Sequence, residues 1–579
     1  MAGEDSGVGA AQGKGLRVWP AVAVVAAQHA VAYGFLRFGA APIGGAAGLV
    51  VVPLVALLLL AGWWLFASRA AFWERAVFAA AFAAAVVCVA AARPTTANDL
   101  MILAYALPVL MTGAVALLAA TGRCGHLLRG GVLLGFLLAC AAVFCALRVD
   151  AVGGNLVPYV SWRWRPSGEQ RSGALPAPGA RRAVEVPAEA GPGDWPGFRG
   201  AARDGCVQGA RFSADWTAPP RELWRREVGP AYSSFAAMGD YVFTQEQRGA
   251  EELVTCYAAA TGEKAWENRV DARYEDDMGV GPRSTPTFSG GRLFTLGGTG
   301  ILQCLDASTG EAVWTRNVPE DAGVPVADYG FTSSPLVEGD RVVVPSNGGD
   351  GAAVLAYDRA TGEPVWRGGR KSPVYSSPHP AGIAGVAQVL VSSDFGVQSL
   401  APDTGALLWE HAWEARTTPR CVQPLVLDGG RVMIGSPGFT GSRMIRVEKP
   451  EGAPGWAVSE VWTNRKFRPY FNDRVTHGGH CYGFDGNQLV CVDLETGAVV
   501  WEGDKYGGQL LLLADMGMLL VLSERGQVAL VPATPAGFSE TTRFKALSGR
   551  TSNHPVVAHG RLFVRNNGEA ACYELPPAP

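Results

Sequence analysis

"DASTGEAVW" occupies Asp306–Trp314, and nearly the same phrase returns as "DRATGEPVW" at Asp358–Trp366 and "DLETGAVVW" at Asp493–Trp501. Aligning the chain on the aromatic that ends the phrase gives Trp224, Trp266, Trp314, Trp366, Trp409, Trp462, Trp501 and Phe544, spaced 39–53 residues apart. Between them run short alternating apolar stretches punctuated by Gly, Asp and Pro, with little helical period. A repeat of this length made of four short strands is a propeller blade.

Gly281–Val318, "GPRSTPTFSGGRLFTLGGTGILQCLDASTGEAVWTRNV", predicts one whole blade. Strand A lies around Ser284–Phe288, strand B is "RLFTL", strand C is "ILQCL", and strand D is "EAVWTRNV". The last unit, "NHPVVAHGRLFVRNNGEAACYEL", has strands A to C and no strand D. "RELWRREV" at Arg221–Val228 stands before the first complete unit and can supply it. Eight blades are therefore expected, closed by pairing of N- and C-terminal strands, which removes the exposed edges of an open array.

The phrase has a physical reading. Its Gly supplies the positive φ of a tight C–D turn, and its Asp bonds back to turn amides. Its Trp sits on strand D and wedges against the neighbouring blade, burying on the order of 200 Å². Blade 1 has Ala258 at the Asp position, blade 4 shortens the turn ("APDTGALLW"), and blades 5 and 7 are degenerate. Cys256, Cys304, Cys491 and Cys572 share one strand-C position, which marks them as core residues; no disulfide framework is expected. "FTQEQRGAEE" at Phe243–Glu252 reads as a charged B–C turn, solvated or used for contact.

The chain has 579 residues, too many for one core, with net charge −3, which argues against a nucleic-acid partner. Its first 150 residues hold five long apolar runs, Val18–Phe38, Gly45–Ala67, Ala76–Ala92, Leu100–Ala120 and Leu127–Leu147. Four reach the roughly 20 residues that span hydrocarbon, and the third is the shortest. Lys14, Arg17, Arg69, Arg75, Arg123 and Arg129 flank one side of the runs and Arg37, Arg93 and Arg148 the other. The bias places the N-terminus in the cytoplasm and everything after Arg148 outside it, as in a bacterial plasma-membrane protein with a periplasmic domain. Gln28–His29 is the polar pair deep in a run, read as interhelical hydrogen bonding, and Trp63–Trp64 reads as an interface anchor. The domains expected are a five-helix transmembrane unit over 1–150, a flexible Pro/Gly/Ala/Arg linker over 151–193, and the propeller over 194–579.

The Asp-x-x-Thr-Gly-x-x-x-Trp phrase resembles the tryptophan-docking repeat of quinoprotein dehydrogenases and of the outer-membrane assembly lipoprotein propeller. "DWPGFRGAARDG" and "YFNDRVTHGGHCYGFDGNQLVCVDLETG" resemble bacterial pyrroloquinoline-quinone-like repeat propellers. The layout of five apolar runs before an external propeller resembles membrane-bound quinoprotein glucose dehydrogenase. These resemblances imply either a binding scaffold in the envelope or a quinone-dependent oxidoreductase.

Candidate site residues follow from geometry, because strand A is innermost and its start faces the central funnel. Those positions are Tyr232, Ser233, Ser234, Arg283, Ser284, Thr285, Thr332, Ser333, Ser334, Tyr375, Ser376, Ser377, Arg420, Cys421, Gln423, Asn472, Asp473, Arg474, Asn553 and His554. One reading is an anionic, oxygen-rich ligand gripped by arginine forks. The other is that the Ser, Thr and Asn groups satisfy strand-end backbone. Asp473 is the candidate funnel carboxylate for catalysis. The sequence has no adjacent Cys pair and no Cys-x-x-Cys-His, and a calcium-holding Glu, Asn and Asp set does not map onto it. "HGGHC" at His477–Cys481 reads as an A–B turn without a metal. The expectation is a membrane-anchored scaffold with no cofactor, bound to the bilayer through five spans and to envelope proteins or an anionic small molecule. The alternative is a membrane oxidoreductase of sugars or alcohols using pyrroloquinoline quinone with Ca2+ and passing electrons to membrane quinone.

Overall fold

Each repeated phrase folds as the C–D turn and outer strand of one antiparallel sheet. The computed structural model describes residues 16–38, 45–91, 97–152, 158–173, 181–276, 278–415, 419–438, 440–452 and 455–578. They divide into two units, Met1–Arg165 and Pro166–Pro579.

The second unit holds eight sheets of the A–B–C–D order. Blade 2, for example, runs through Thr287–Ser289, Arg292–Leu296, Ile301–Asp306 and Ala312–Asn317. In blade 8 the strands Val556–Ala558, Arg561–Arg565 and Glu569–Glu574 take Arg221–Glu227 as strand D, with Trp224 opposite Cys572. The ring is therefore closed by the strand that the repeat count demanded. Strand A of blade 2 starts later than expected, since Ser284 and Thr285 turn their polar groups to neighbouring strands.

The latch has parts that the phrase does not spell out. In the seven blades that end in Trp, strand D carries one extra residue just before the Trp, a bulge opposite strand C. Blade 7, which ends in Phe544, pairs in regular register. A bulge bends and twists its strand, here re-aiming the indole toward the next blade. Trp266, Trp314 and Trp462 then donate their indole N–H to Ala307 O (3.2 Å), Arg359 O (3.1 Å) and Leu494 O (3.0 Å) in the following C–D turn. Trp224, Trp366 and Trp501 do the same to Ala259, Pro402 and Thr534.

The turn glycine is the seat of that indole. Gly310 has φ +71°, and a Cβ there would lie 2.4 Å from the Trp266 ring. Gly262, Gly362, Gly405 and Gly497 hold Trp224, Trp314, Trp366 and Trp462 in the same way. Blade 5 lacks the Thr-Gly turn, and the Trp409 indole of blade 4 turns to Gln388 of its own blade instead (2.7 Å). Phe544 meets Trp216 edge-on at 5.3 Å and Tyr573 at 5.0 Å, so the segment before blade 1 supplies the seat at the seam between blades 7 and 8. The Asp of the phrase accepts two turn amides, as Asp306 does from Ser308 and Thr309.

All eleven cysteines carry free thiols, and Cys256, Cys304, Cys491 and Cys572 are fully buried opposite the docking Trp.

"FTQEQRGAEE" is not a solvated turn. Its residues extend strands B and C of blade 1 to Arg248 and from Glu251, and Gln245, Glu246, Gln247 and Glu252 are buried. The polar groups are spent inside: Gln245 Nε2 donates to Ser284 O (2.7 Å), and Glu246 accepts from Gly229 N, Thr255 and Tyr257. Glu252 accepts the Gly298 amide (3.0 Å), and burial pushes its carboxyl up to about 7 despite that bond. Unfolded, the group titrates near 4.5. The folded state thus holds a proton that the unfolded state loses, so stability falls as pH rises from about 4.5 to about 7. Glu252→Gln should remove roughly 3 kcal/mol of that pH dependence; parallel urea titrations across the window, with unchanged slopes in both proteins, would contradict it.

The first unit has a helix on each of the five apolar runs: α1 (Trp19–Phe38), α2 (Gly45–Gly62), α3 (Phe72–Ala91), α4 (Ala97–Thr121) and α5 (His126–Ala146). Among the described residues, α3 and α5 are long and apolar enough to cross a membrane. The run read as shortest lies in one of those two, because α3 begins four residues before it, at Phe72. His29 hydrogen-bonds Thr112 between α1 and α4 (2.9 Å), and Arg129 pairs with Glu74 between α5 and α3 (2.5 Å). Trp63 and Trp64 are buried within the unit, their N–H groups on Arg17 O and Arg75 O.

Parts of the Pro/Gly/Ala/Arg-rich stretch 151–193 are built into folded structure. Pro158–Trp162 pairs with Leu147–Val152. Farther on, Arg182 N and Val184 N donate to Ala265 O and Ser308 O, and Val184 is buried in the core of blade 1.

Candidate functional site

The starts of the innermost strands form a belt of hydrogen bonds that crosses every seam of the ring. Ser234 N donates to Thr285 Oγ1, Thr285 N to Ser334 Oγ, and Ser334 N to Ser377 Oγ, each at 2.9 Å. Ser333 Oγ donates to Ser376 O, and Ser376 Oγ to Ser392 O. Gln423 links blade 5 to both neighbours, its Nε2 to Ser377 O (3.3 Å) and its N to Asp473 Oδ1 (2.8 Å). Asn472 reaches Gly507 O and Gly508 O, Gln509 reaches Phe471 O and Ser552 O, and Asn553 reaches Ala231 O and Ser233 O. Ser234 Oγ returns to His554 O (2.6 Å). Ser233 accepts Gln245 N, and Ser284 donates to Leu296 O. The predicted residues are thus brought together around the axis, and their short side chains bond strand ends of adjoining blades.

The arginines of the set point their forks at protein rather than into open space. Arg420 is fully buried, and its guanidinium meets Ser393 O, Gly396 O, Gly435 O and Trp413 O, stapling blade 5 to blade 4. Burial pushes it down to about 10, against the pull of Asp394. Arg474 bonds Gln423 O (2.9 Å) and Met433 O (3.3 Å), stapling blade 6 to blade 5. Arg283 pairs with Asp276 at 2.5 Å between the rings of Tyr232 and Tyr274, 5.2 and 5.1 Å away. Thr332 bonds Tyr375 O, and Tyr329 meets Tyr375 edge-on at 5.4 Å. Burial pushes the Cys421 thiol up to about 12, with Asp394 and Asp473 adding to the rise.

A segment that sequence reasoning gave no site role occupies the axis. "DWPGFRGAARDG" enters beside the A–B turns, where Asp194 accepts Gly239 N and meets His559 Nε2, both at 2.7 Å. Trp195 pairs with Ala237 of blade 1 and Pro196 O accepts Phe288 N of blade 2. At the tip, Phe198 packs edge-on against His554 at 5.0 Å. Arg199 Nη2 donates to Asp204 O and Arg474 O, both at 2.6 Å. Arg203 donates to Ser334 O and Pro335 O of blade 3. The chain then leaves along blade 7, Cys206–Val207 pairing in parallel with Leu512–Leu513. Arg199 and Arg203 hold positive φ, +61° and +54°, a conformation costly for residues with a side chain and tolerated where the surroundings fix it. The signal available in sequence was the density of Gly and Arg in this phrase.

Asp473, the candidate catalytic carboxylate, lies 4.0 Å from Arg199 Nη1 and 3.9 Å from His554 Nε2. Burial and the nearby Arg199 hold His554 well below its ordinary range, so it is neutral. Asp473 and Arg199, with Arg203, His379, Gln423 and Arg474, line a cavity of about 30 Å³.

Residues 217–354 and 250–502 match the family model described as outer membrane protein assembly factor BamB. The protein of that name from Nitrosomonas eutropha is 26% identical over 225 residues, which cover 38% of this chain and 44% of that one. The propeller is BamB-like. The matched region spans less than half of that curated relative, 44%. Similar solved structures include BamB from Moraxella catarrhalis (18% identity, TM-score 0.44), covering 61% of this chain and 99% of that one. They also include the quinohemoprotein alcohol dehydrogenase ADHIIG from Pseudomonas putida HK5 (14% identity, TM-score 0.51), covering 68% and 84%. The dehydrogenase likeness is one of fold.

Pyrroloquinoline quinone is a rigid three-ring tricarboxylate, and pockets for molecules of its size are ~300 Å³ or larger. The axial cavity is about 30 Å³, and the arginines beside it are turned to backbone carbonyls. The residues around this cavity do not fit that group.

Proposed function

We propose that this protein is a membrane-anchored scaffold whose BamB-like propeller lies outside the cytoplasm and binds other envelope proteins without catalysis. The observation that carries this reading is the filled axis: the plug crosses it, and the belt ties the short polar side chains of the strand starts to adjoining blades. Surfaces for partners then lie on the rim and the outer strands. The bulge residue before the docking Trp is apolar and exposed in four blades: Val313, Val365, Val461 and Val500 are 44%, 41%, 41% and 42% exposed. Each stands on the outer strand of its own blade, where a partner on the rim would meet it. The matched family's name, an outer membrane assembly factor, supports envelope partners. Five helices on five apolar runs, with the Lys and Arg bias of their connections, support the anchor and the orientation.

The test is photo-crosslinking in cells from Val313 and Val365, each replaced by a photoreactive residue in the full chain. Adducts with periplasmic or membrane proteins are expected, and loss of those adducts on placing the probe at buried Val343 instead. Adducts confined to cytoplasmic proteins would overturn the reading.

A further inference from the structure

The tip of the axial plug carries more buried positive charge than its surroundings neutralise. Arg199, Arg203 and Arg474 are 3%, 5% and 2% exposed and border one cavity of about 30 Å³. Arg199 Nε and Nη2, Arg203 Nη1 and Nη2, and Arg474 Nη2 end on backbone carbonyls, which leave the formal charges standing. The buried carboxylate facing them is Asp473, whose Oδ1 is already taken by the Gln423 amide. Asp204 also borders the cavity, but it is partly exposed and its Oδ1 accepts Cys206 N. His379 is neutral, held down to about 3 by burial with Arg203 and Arg199 beside it. Three guanidiniums thus face one buried carboxylate, an imbalance that a low-dielectric interior penalises strongly.

The donors for a counter-charge are present. Arg199 Nη1, Arg203 Nε and His379 Nδ1 are buried and have no hydrogen-bond partner among the described residues. They come from the two arginines of the plug and from blade 4, so a species bonded to all three would pin the plug to the ring. A cavity of this size admits one or two water-sized atoms. It is too small for the five heavy atoms of sulfate or phosphate. We propose that this cavity is a structural site for a monatomic anion, chloride under ordinary conditions, bound between Arg199, Arg203 and His379.

The test uses the full chain, with chloride exchanged for gluconate at constant ionic strength. The melting temperature should fall, and chloride or bromide should restore it in a saturable way. Crystals grown in bromide should show an anomalous peak between Arg199 and Arg203. Arg203→Gln should raise the half-saturating halide concentration by about tenfold or more, the weakening that losing one charged donor brings. Arg292→Gln, which alters a half-buried arginine paired with Asp306 on blade 2, should leave it unchanged. Should Arg203→Gln not fold, the bromide crystals of the unaltered protein decide. Absence of an anomalous peak in the cavity, or equal restoration by sulfate at matched ionic strength, would overturn the site.

Discussion

Trp266→Ala lowers the free energy of unfolding by about 3–5 kcal/mol, the cost of truncating a buried Trp. Trp266 is 2% exposed, donates to Ala307 O at 3.2 Å, and packs against Phe243 at 5.7 Å. Its loss leaves a cavity at the seam between blades 1 and 2 and an unmet carbonyl in the next turn. Gly310→Ala should be comparably damaging from the other side of the contact, since its Cβ would stand 2.4 Å from the indole at φ +71°. Trp314 makes the same contact but is only partly buried, so Trp314→Ala should cost less than Trp266→Ala. Urea denaturation ranks the three; a loss below about 1 kcal/mol for Trp266→Ala would show that the latch does not hold the seam.

Arg565→Met opens the closing seam. Arg565 is fully buried in blade 8 and reaches across to Thr244 Oγ1 (2.6 Å), Gln245 O (2.8 Å) and Gly229 O (2.9 Å) in and before blade 1. Beside it, Glu246 is held below its ordinary range, burial being outweighed by Arg248, the Gly229 amide and Arg565. Removing the guanidinium strands two carbonyls and leaves Glu246 with Arg248 as its cation. Breaking one partner of such a buried network costs about 3–5 kcal/mol. Blade 8 is assembled from both ends of the propeller, so the effect should localise there. Hydrogen exchange at Arg225 and Arg226, paired with Ala571 and Ala570, should accelerate before exchange in blade 4. Uniform acceleration around the ring would contradict a localised seam.

The phrase told so much about the fold because everything in it acts locally. Asp306 bonds amides two and three residues on, Gly310 needs a φ that its own turn dictates, and the spacing of the aromatics counts blades. The closing strand at Arg221–Glu227 followed from that count. What escaped was long-range. Arg199 bonds Arg474 O across 275 residues, and a backbone carbonyl has no signature in sequence. An arginine near the axis therefore reads as an anion grip, whereas Arg420 and Arg474 spend their forks on carbonyls of adjoining blades. The same blindness made "QEQ" look solvated, although Gln245 and Glu246 lie inside the seam. The bulge before each docking Trp was hidden because one extra residue leaves the alternation of a short strand unresolved.

We infer that the axis, filled by the chain's own plug, serves structure rather than redox chemistry. The most direct measurement is to add pyrroloquinoline quinone and Ca2+ to the purified full-length protein and record absorbance and melting temperature. No bound chromophore and no change in melting temperature are expected at high micromolar cofactor. A stoichiometric chromophore that disappears in Arg283→Ala would contradict it.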